Sequence, residues 1–140
     1  MLLGQYQHNL DEKNRLAIPA KLRRELNGSL IITRGLDKCL FVLTVNEWSK
    51  LIDKISNLPL GKKPARALAR VMLAGASEII LDKTGRAMIP EFLKNYAGIA
   101  KSAVIVGVNN RLEIWSQERW NEYDKLAEEK LSEMAESLEI

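Results

Sequence analysis

The chain has 140 residues, 46% of them hydrophobic and 28% charged, with a net charge of +3. That suits one compact domain or two very small ones; halves of about 70 residues would have thin cores alone and are better packed together or within an oligomer. A single cysteine, Cys39, excludes an internal disulfide and reads as a packed small hydrophobe in a reducing compartment. The first ten residues carry no Lys or Arg, unlike a secretory leader. No apolar run approaches the roughly 18 residues of a membrane span, so the expected location is the cytoplasm.

In chain order, Gln7–Leu10 reads as a strand entering the turn Asp11-Glu12-Lys13-Asn14-Arg15. Arg15–Ile18 leaves it as a strand that stops at Pro19. A short helix, Ala20–Leu26, is expected next, because the missing N–H of proline would be unpaired in a first helical turn anyway. Leu30–Arg34 is a β-branched run ending at Gly35; a turn over 36–38 and a strand Leu40–Leu43 follow. Trp48, Leu51, Ile52, Ile55 and Leu58 step by three and four, which predicts an amphipathic helix over 46–58. Pro59-Leu60-Gly61 interrupts it. A second helix is predicted over 64–76, where Ala65, Leu68, Ala69, Met72 and Leu73 share a face and several small residues suit close approach to a neighbour. The grammar then repeats: strand Glu78–Leu81, turn Asp82–Arg86, strand Arg86–Ile89, helix Glu91–Tyr96, and strands Ala103–Val106 and Leu112–Trp115. Trp120, Tyr123, Ala127, Leu131 and Met134 mark a C-terminal helix with an acidic outer face, expected to fray from about Glu133.

The repetition is detailed. A shift of 71 lays Asp11, Arg15, Ile18, Pro19 and Leu22 on Asp82, Arg86, Ile89, Pro90 and Leu93. With one further residue inserted, a shift of 72 lays Gly35, Leu40, Val42 and Trp48 on Gly107, Leu112, Ile114 and Trp120. Asn14 and Gly85 share a slot, and these residue types best tolerate positive φ, which supports a tight hairpin with one left-handed position. Two like β-units point to an α+β fold, mainly β, in which the copies form one fused β-barrel with a pseudo-twofold, because pairing the copies removes exposed sheet edges. The expected division is module 1 at 5–48, a helical connector at 49–76, module 2 at 77–120 and an acidic helix or tail at 121–140.

Charge is unevenly placed. Residues 117–140 hold eight acids against three bases, a net −5, which leaves residues 1–116 at +8. A basic body suggests a polyanionic partner. The two DxxxR turns allow two compatible readings. Asp11 and Asp82 can bind backbone N–H groups of their own turns and pair with Arg15 and Arg86, a purely structural brace. Alternatively, the two hairpins present Arg15, Lys13, Arg86 and Lys83 on one face. Arg reads guanine bidentately, a two-stranded ribbon enters the major groove, and the Asp orients the Arg fork. His8, the only histidine, lies on the preceding strand and is a further candidate beside that face. One histidine allows neither a Ser/His/Asp triad nor a multi-histidine metal site, and no glycine-rich phosphate loop is present, so an enzyme is not expected.

Several stretches together resemble the MraZ family. They are Leu3-Gly4-x-Tyr6-x-His8-x-Leu10 running into DEKNR-Leu-Ala-Ile-Pro-Ala-Lys, Thr33-Arg34-Gly35-Leu36-Asp37-x-Cys39-Leu40, Leu73-Ala74-Gly75-Ala76 and Ile114-Trp115-Ser116-x-Glu118-Arg119-Trp120. The resemblance runs from Leu3 to Tyr123. It implies tandem SpoVT–AbrB-like swapped-hairpin modules and ring-shaped homo-oligomers. It also implies a transcriptional regulator of the division and cell-wall gene cluster that binds short direct repeats in its own promoter. The family's DNA-contacting DxxxR motif carries onto Asp11/Arg15 and Asp82/Arg86. The first copy of the family usually has glycine where this chain has Asn14, whose side chain is therefore a further candidate DNA contact. Helix 64–76 and the Trp48 and Trp120 helices are candidate ring interfaces, with plain core packing as the alternative for the aromatics. Expected partners are double-stranded promoter DNA and further copies of the chain, with no cofactor, membrane or small-molecule substrate, and a nucleoid-associated location. The rival reading is an AbrB-like scaffold or antitoxin-type module that binds a protein through its acidic C-terminal helix.

Overall fold

The computed structural model describes all residues, Met1–Ile140. The first copy forms β1 (Leu2–Asn9), β2 (Arg15–Ala17), α1 (Ala20–Arg23), β3 (Leu30–Arg34) and β4 (Leu40–Thr44). The connector is α2 (Val45–Ser56) and α3 (Lys63–Ala74). The second copy forms β5 (Ser77–Ile79), β6 (Arg86–Met88), α4 (Glu91–Ala97), β7 (Ser102–Asn109) and β8 (Leu112–Ser116), followed by α5 (Gln117–Glu129) and α6 (Leu131–Ser137). Thr44 and Ser116 occupy one slot of the two copies, and each caps the helix behind its last strand by accepting an N–H, from Glu47 and Arg119.

The copies exchange strands. β1 of the first pairs antiparallel with β7 of the second, from Leu2 opposite Asn109 to Asn9 opposite Ser102. β5 of the second pairs with β3 of the first. The sheet order is β1-β7-β8-β4-β3-β5, and β2 pairs with β6 in a separate two-stranded ribbon. The fold is thus α+β with antiparallel pairing. The expected barrel does not close: β1 and β5 remain edges, and the ribbon is not joined to the larger sheet. The reason is local. β2 and β6 have three residues each and run at once toward Pro19 and Pro90, which have no N–H to extend a ladder.

Both faces of the central strands are covered. One face carries a core that both copies build, including Leu16, Ile18, Leu22, Leu40 and Val42 from the first and Ile89, Leu93, Ile105, Leu112 and Ile114 from the second. The other face carries Cys39, Phe41, Leu43, Val104, Val106 and Trp115 under α2 and α3, with Trp48 and Trp120 packed against them. This explains why β4 reads as a continuous apolar run and why every residue of β8, Glu113 included, is buried. Trp120 also donates its indole N–H to Gln5 Oε1 at 2.7 Å and lies edge-on to Trp115 at 5.3 Å. The aromatic candidates for an interface therefore pack within their own chain.

Other differences from the sequence reading have simple causes. β1 begins five residues earlier than expected because β7 runs on to Asn109 beside it. α1 stops at Arg23: the N–H groups of Glu25 and Leu26 bond three residues back, and Gly28 (φ 70) turns the chain. Ile80 and Leu81 lie outside β5. The C-terminal helix breaks at Lys130 and resumes as α6 through Ser137 rather than fraying. The glycine alignment also needs correction. Leu30 lies opposite Thr44 as Ala103 lies opposite Ser116, so the pairing equates Arg34, not Gly35, with Gly107.

Candidate nucleic-acid interface

Each DxxxR turn is built by its aspartate. Asp11 Oδ1 accepts the backbone N–H of Lys13 and of Arg15, both at 2.9 Å, and Asp11 Oδ2 accepts Arg15 Nε at 2.7 Å. In the second turn Asp82 Oδ1 accepts from Thr84 N (3.0 Å), Thr84 Oγ1 (3.0 Å) and Arg86 N (2.9 Å), and Oδ2 accepts Arg86 Nε at 2.8 Å. One carboxylate oxygen thus folds the turn while the other grips the guanidinium. The fourth turn residues, Asn14 and Gly85, take φ of 58° and 80°, as their shared slot suggested.

These bonds favour the ionised acids. The Arg15 backbone N–H is the main reason the Asp11 carboxyl lies below its ordinary value. The Arg86 backbone N–H, with Thr84 and the Arg86 side chain behind it, holds Asp82 at about 2. Desolvation opposes both shifts without reversing them.

The two turns interlock. Ile18 N donates to Gly85 O at 3.0 Å, and Ile89 N donates to Asn14 O at 2.9 Å. The left-handed residue of each turn thus caps the outgoing strand of the other. In the ribbon between them Leu16 lies opposite Ala87. Arg86 Nη1 reaches Asp11 Oδ2 at 3.5 Å, so Asp11 faces both arginines. Arg15 spends only its Nε on the protein, and its Nη groups make no hydrogen bond within the chain. Lys13 and Lys83 are exposed at the two tips. The two turns together thus hold four bases and three acids, Glu12 being exposed beside Lys13.

Asn14 is held by the other copy. Its Nδ2 donates to Glu91 Oε2 at 2.7 Å and its Oδ1 accepts from Lys94 Nζ at 3.1 Å, so both ends of the amide are committed to α4. In the opposite sense, Arg23 of α1 donates to Thr84 O at 3.0 Å and lies over Gly85. Sequence reasoning passed over Arg23, Glu91 and Lys94, although Arg23 and Lys94 stand in one slot of the repeat, four residues after each proline. His8 lies on β1 opposite Ala103, half-buried, ahead of the turn rather than within it. No group of three His, Cys, Asp or Glu side chains gathers as a metal site, and no helix is long and apolar enough to cross a membrane. Burial pushes the Cys39 thiol well above its ordinary range, and its Sγ–H donates to Leu36 O.

This geometry defines a class: a two-copy hairpin protein whose DxxxR turns interlock across one antiparallel ribbon. The family described as "MraZ protein, putative antitoxin-like" matches the chain twice, over residues 1–71 and 72–139. The chain belongs to the MraZ family. It is similar to the "Transcriptional regulator MraZ" of Natranaerobius thermophilus, 49% identical over 138 residues, which cover 99% of this chain and 96% of the relative. It is also similar to the protein of the same name from Caldanaerobacter subterraneus subsp. tengcongensis, 48% identical over 139 residues, covering 99% and 97%. The family is one of transcriptional regulators, not of enzymes.

Proposed function

We propose that this chain is a sequence-specific, DNA-binding transcriptional regulator that reads double-stranded promoter DNA with its paired DxxxR turns. The observation that carries the reading is the held guanidinium. Asp11 and Asp82 fix each arginine through Nε, which leaves the outer edge of Arg15 free to meet guanine O6 and N7. Arg15 and Arg86 act as base readers, Lys13 and Lys83 as phosphate contacts at the tips, and Asp11 and Asp82 as the groups that aim the forks. Asn14 shapes the first tip through its ties to α4, and His8 flanks the face. The names of the relatives support regulation of transcription.

Energetics favour several chains acting together. A bidentate Arg–guanine pair discriminates by about 1–3 kcal/mol. Two per chain supply about 2–6, at the low end of the roughly 4–10 kcal/mol that separates specific from non-specific binding. A ring of copies on direct repeats of the protein's own promoter multiplies the contact through effective concentration. The family resemblance supports that arrangement, a regulon of division and cell-wall genes, and a cytoplasmic, nucleoid-associated location. The reciprocal strand exchange supports two SpoVT–AbrB-like modules, 5–48 and 77–120, related by an approximate twofold, with 49–76 as connector and 121–140 as tail.

The test compares Arg15→Ala with Lys83→Ala on promoter and scrambled duplexes. Arg15→Ala is expected to lose discrimination, while Lys83→Ala weakens both duplexes alike. Equal loss on both duplexes in the two variants would make Arg15 a phosphate clamp. Weak, sequence-indifferent binding by the unaltered protein would favour the scaffold or antitoxin-type alternative.

A further inference from the structure

Between the end of α2 and the length of α3 runs a groove of about 270 Å³, walled by Ile55, Leu58, Leu60, Ala65, Ala69 and Leu73. Leu60 is 81% exposed, and Leu58 and Leu73 are 39% exposed each, so the chain leaves this apolar lining uncovered. Its surroundings are basic. Residues 54–77 hold Lys54, Lys62, Lys63, Arg66 and Arg70 and not one acid, and Arg66 lines the groove itself.

The complementary surface is on α6. Helix α6 buries none of its residues. Its Leu131, Met134 and Leu138 recur at i, i+3 and i+7, a single stripe that is 63%, 40% and 72% exposed. Glu133, Glu136 and Glu139 stand among them, no base follows Lys130, and the segment 117–140 carries a net −5. An apolar stripe bordered by acids and an apolar groove bordered by bases are complementary in both respects. α5, which carries α6, packs on β7 and β8, whereas α2 and α3 pack on β4 and β3. Stripe and groove therefore sit on different halves of the sheet, which favours their meeting between chains.

We propose that α6 of one copy seats its Leu131–Met134–Leu138 stripe in the α2–α3 groove of a second copy. This is helix-in-groove recognition, with i, i+3 and i+7 anchors. It is also heterologous: each chain offers one helix and one groove, and repetition of the contact generates a closed ring when the rotation permits. The proposal rests on the self-association argued above and names its contact.

The test uses full-length protein. Leu131→Glu combined with Met134→Glu alters only surface positions and is expected to leave the circular dichroism spectrum unchanged while light scattering reports a lower mass. Leu73→Cys and Met134→Cys, placed in separately tagged chains, are expected to form a mixed-tag disulfide only when the two are combined and oxidised. An unaltered mass in the double-Glu variant with no mixed-tag product would overturn this contact while leaving self-association standing. A disulfide formed solely within one chain carrying both cysteines would overturn it in favour of the chain's own tail. An unaltered protein that is monomeric at micromolar concentration would remove the self-association reading, and this contact with it.

Discussion

At the scale of single residues, Asp82 ties the stability of the fold to the turn proposed to read DNA. The folded turn holds its carboxyl at about 2, against an ordinary 3.8, chiefly through the Arg86 backbone N–H. The folded state therefore prefers the ionised acid more than the unfolded chain does. That stabilisation is complete above pH 3.8 and is lost as the pH falls toward about 2. Thermal melts across pH 2 to 7 are expected to show a decline over that window, and Asp82→Asn should flatten it while lowering the neutral-pH melting temperature. The turn tips give a second prediction. Gly85 has φ 80°, and a Cβ there would collide with the Arg23 guanidinium, so Gly85→Ala should cost about 1–3 kcal/mol in chemical denaturation. Asn14→Gly keeps the allowed φ, forfeits only the exposed tie to Glu91 and the half-buried one to Lys94, and should cost less. The aspartate, the arginine and the left-handed slot were all legible in the sequence, because a turn is decided within five residues. The Glu91–Asn14–Lys94 tie was not, because its members lie about 80 positions apart.

At the scale of elements, the β2–β6 ribbon joins the two DxxxR turns and so underlies the proposed interface. Leu16 is fully buried there, opposite Ala87, so Leu16→Ala should cost about 2–5 kcal/mol and loosen both arginines together. Urea unfolding and DNA affinity are expected to fall in the same variant. β3 and β7 were readable from their β-branched runs, the starts of α1 and α4 from the prolines before them, and α2 from its apolar periodicity. Register was not. Gly35 and Gly107 look equivalent in the sequence, yet the first makes room for the Phe41 ring and the Cys39 sulfur, and the second for the β1 backbone at Leu2 and Leu3. Two different close approaches demand the same residue, so glycine alone misplaces the alignment. Ends failed for a similar reason: β1 is long because β7 lies beside it, a fact of pairing and not of local sequence.

At the scale of the whole molecule, the repeat disclosed that two copies cooperate, and strand exchange shows how: each copy completes the sheet of the other. Closure into a barrel was over-read, since sheet edges argue for closure only where strands are long enough to reach. The separation of charge, +8 in residues 1–116 and −5 beyond, was visible at once and frames both proposals, one for a polyanion and one for a second chain. If Lys13 and Lys83 each neutralise a phosphate and displace its counterion, the logarithm of affinity should fall with the logarithm of salt at a slope of about −2 per chain engaged. The most direct measurement is fluorescence anisotropy on the upstream promoter duplex and a scrambled duplex across a salt series, with Arg15→Ala and Arg86→Ala beside the unaltered protein. Tight binding that depends on the repeats and is lost in both variants, with the oligomer intact, is the predicted result. Unchanged binding in both variants, or no preference for the promoter, would contradict it and leave the two DxxxR turns as hairpins braced by their own ion pairs.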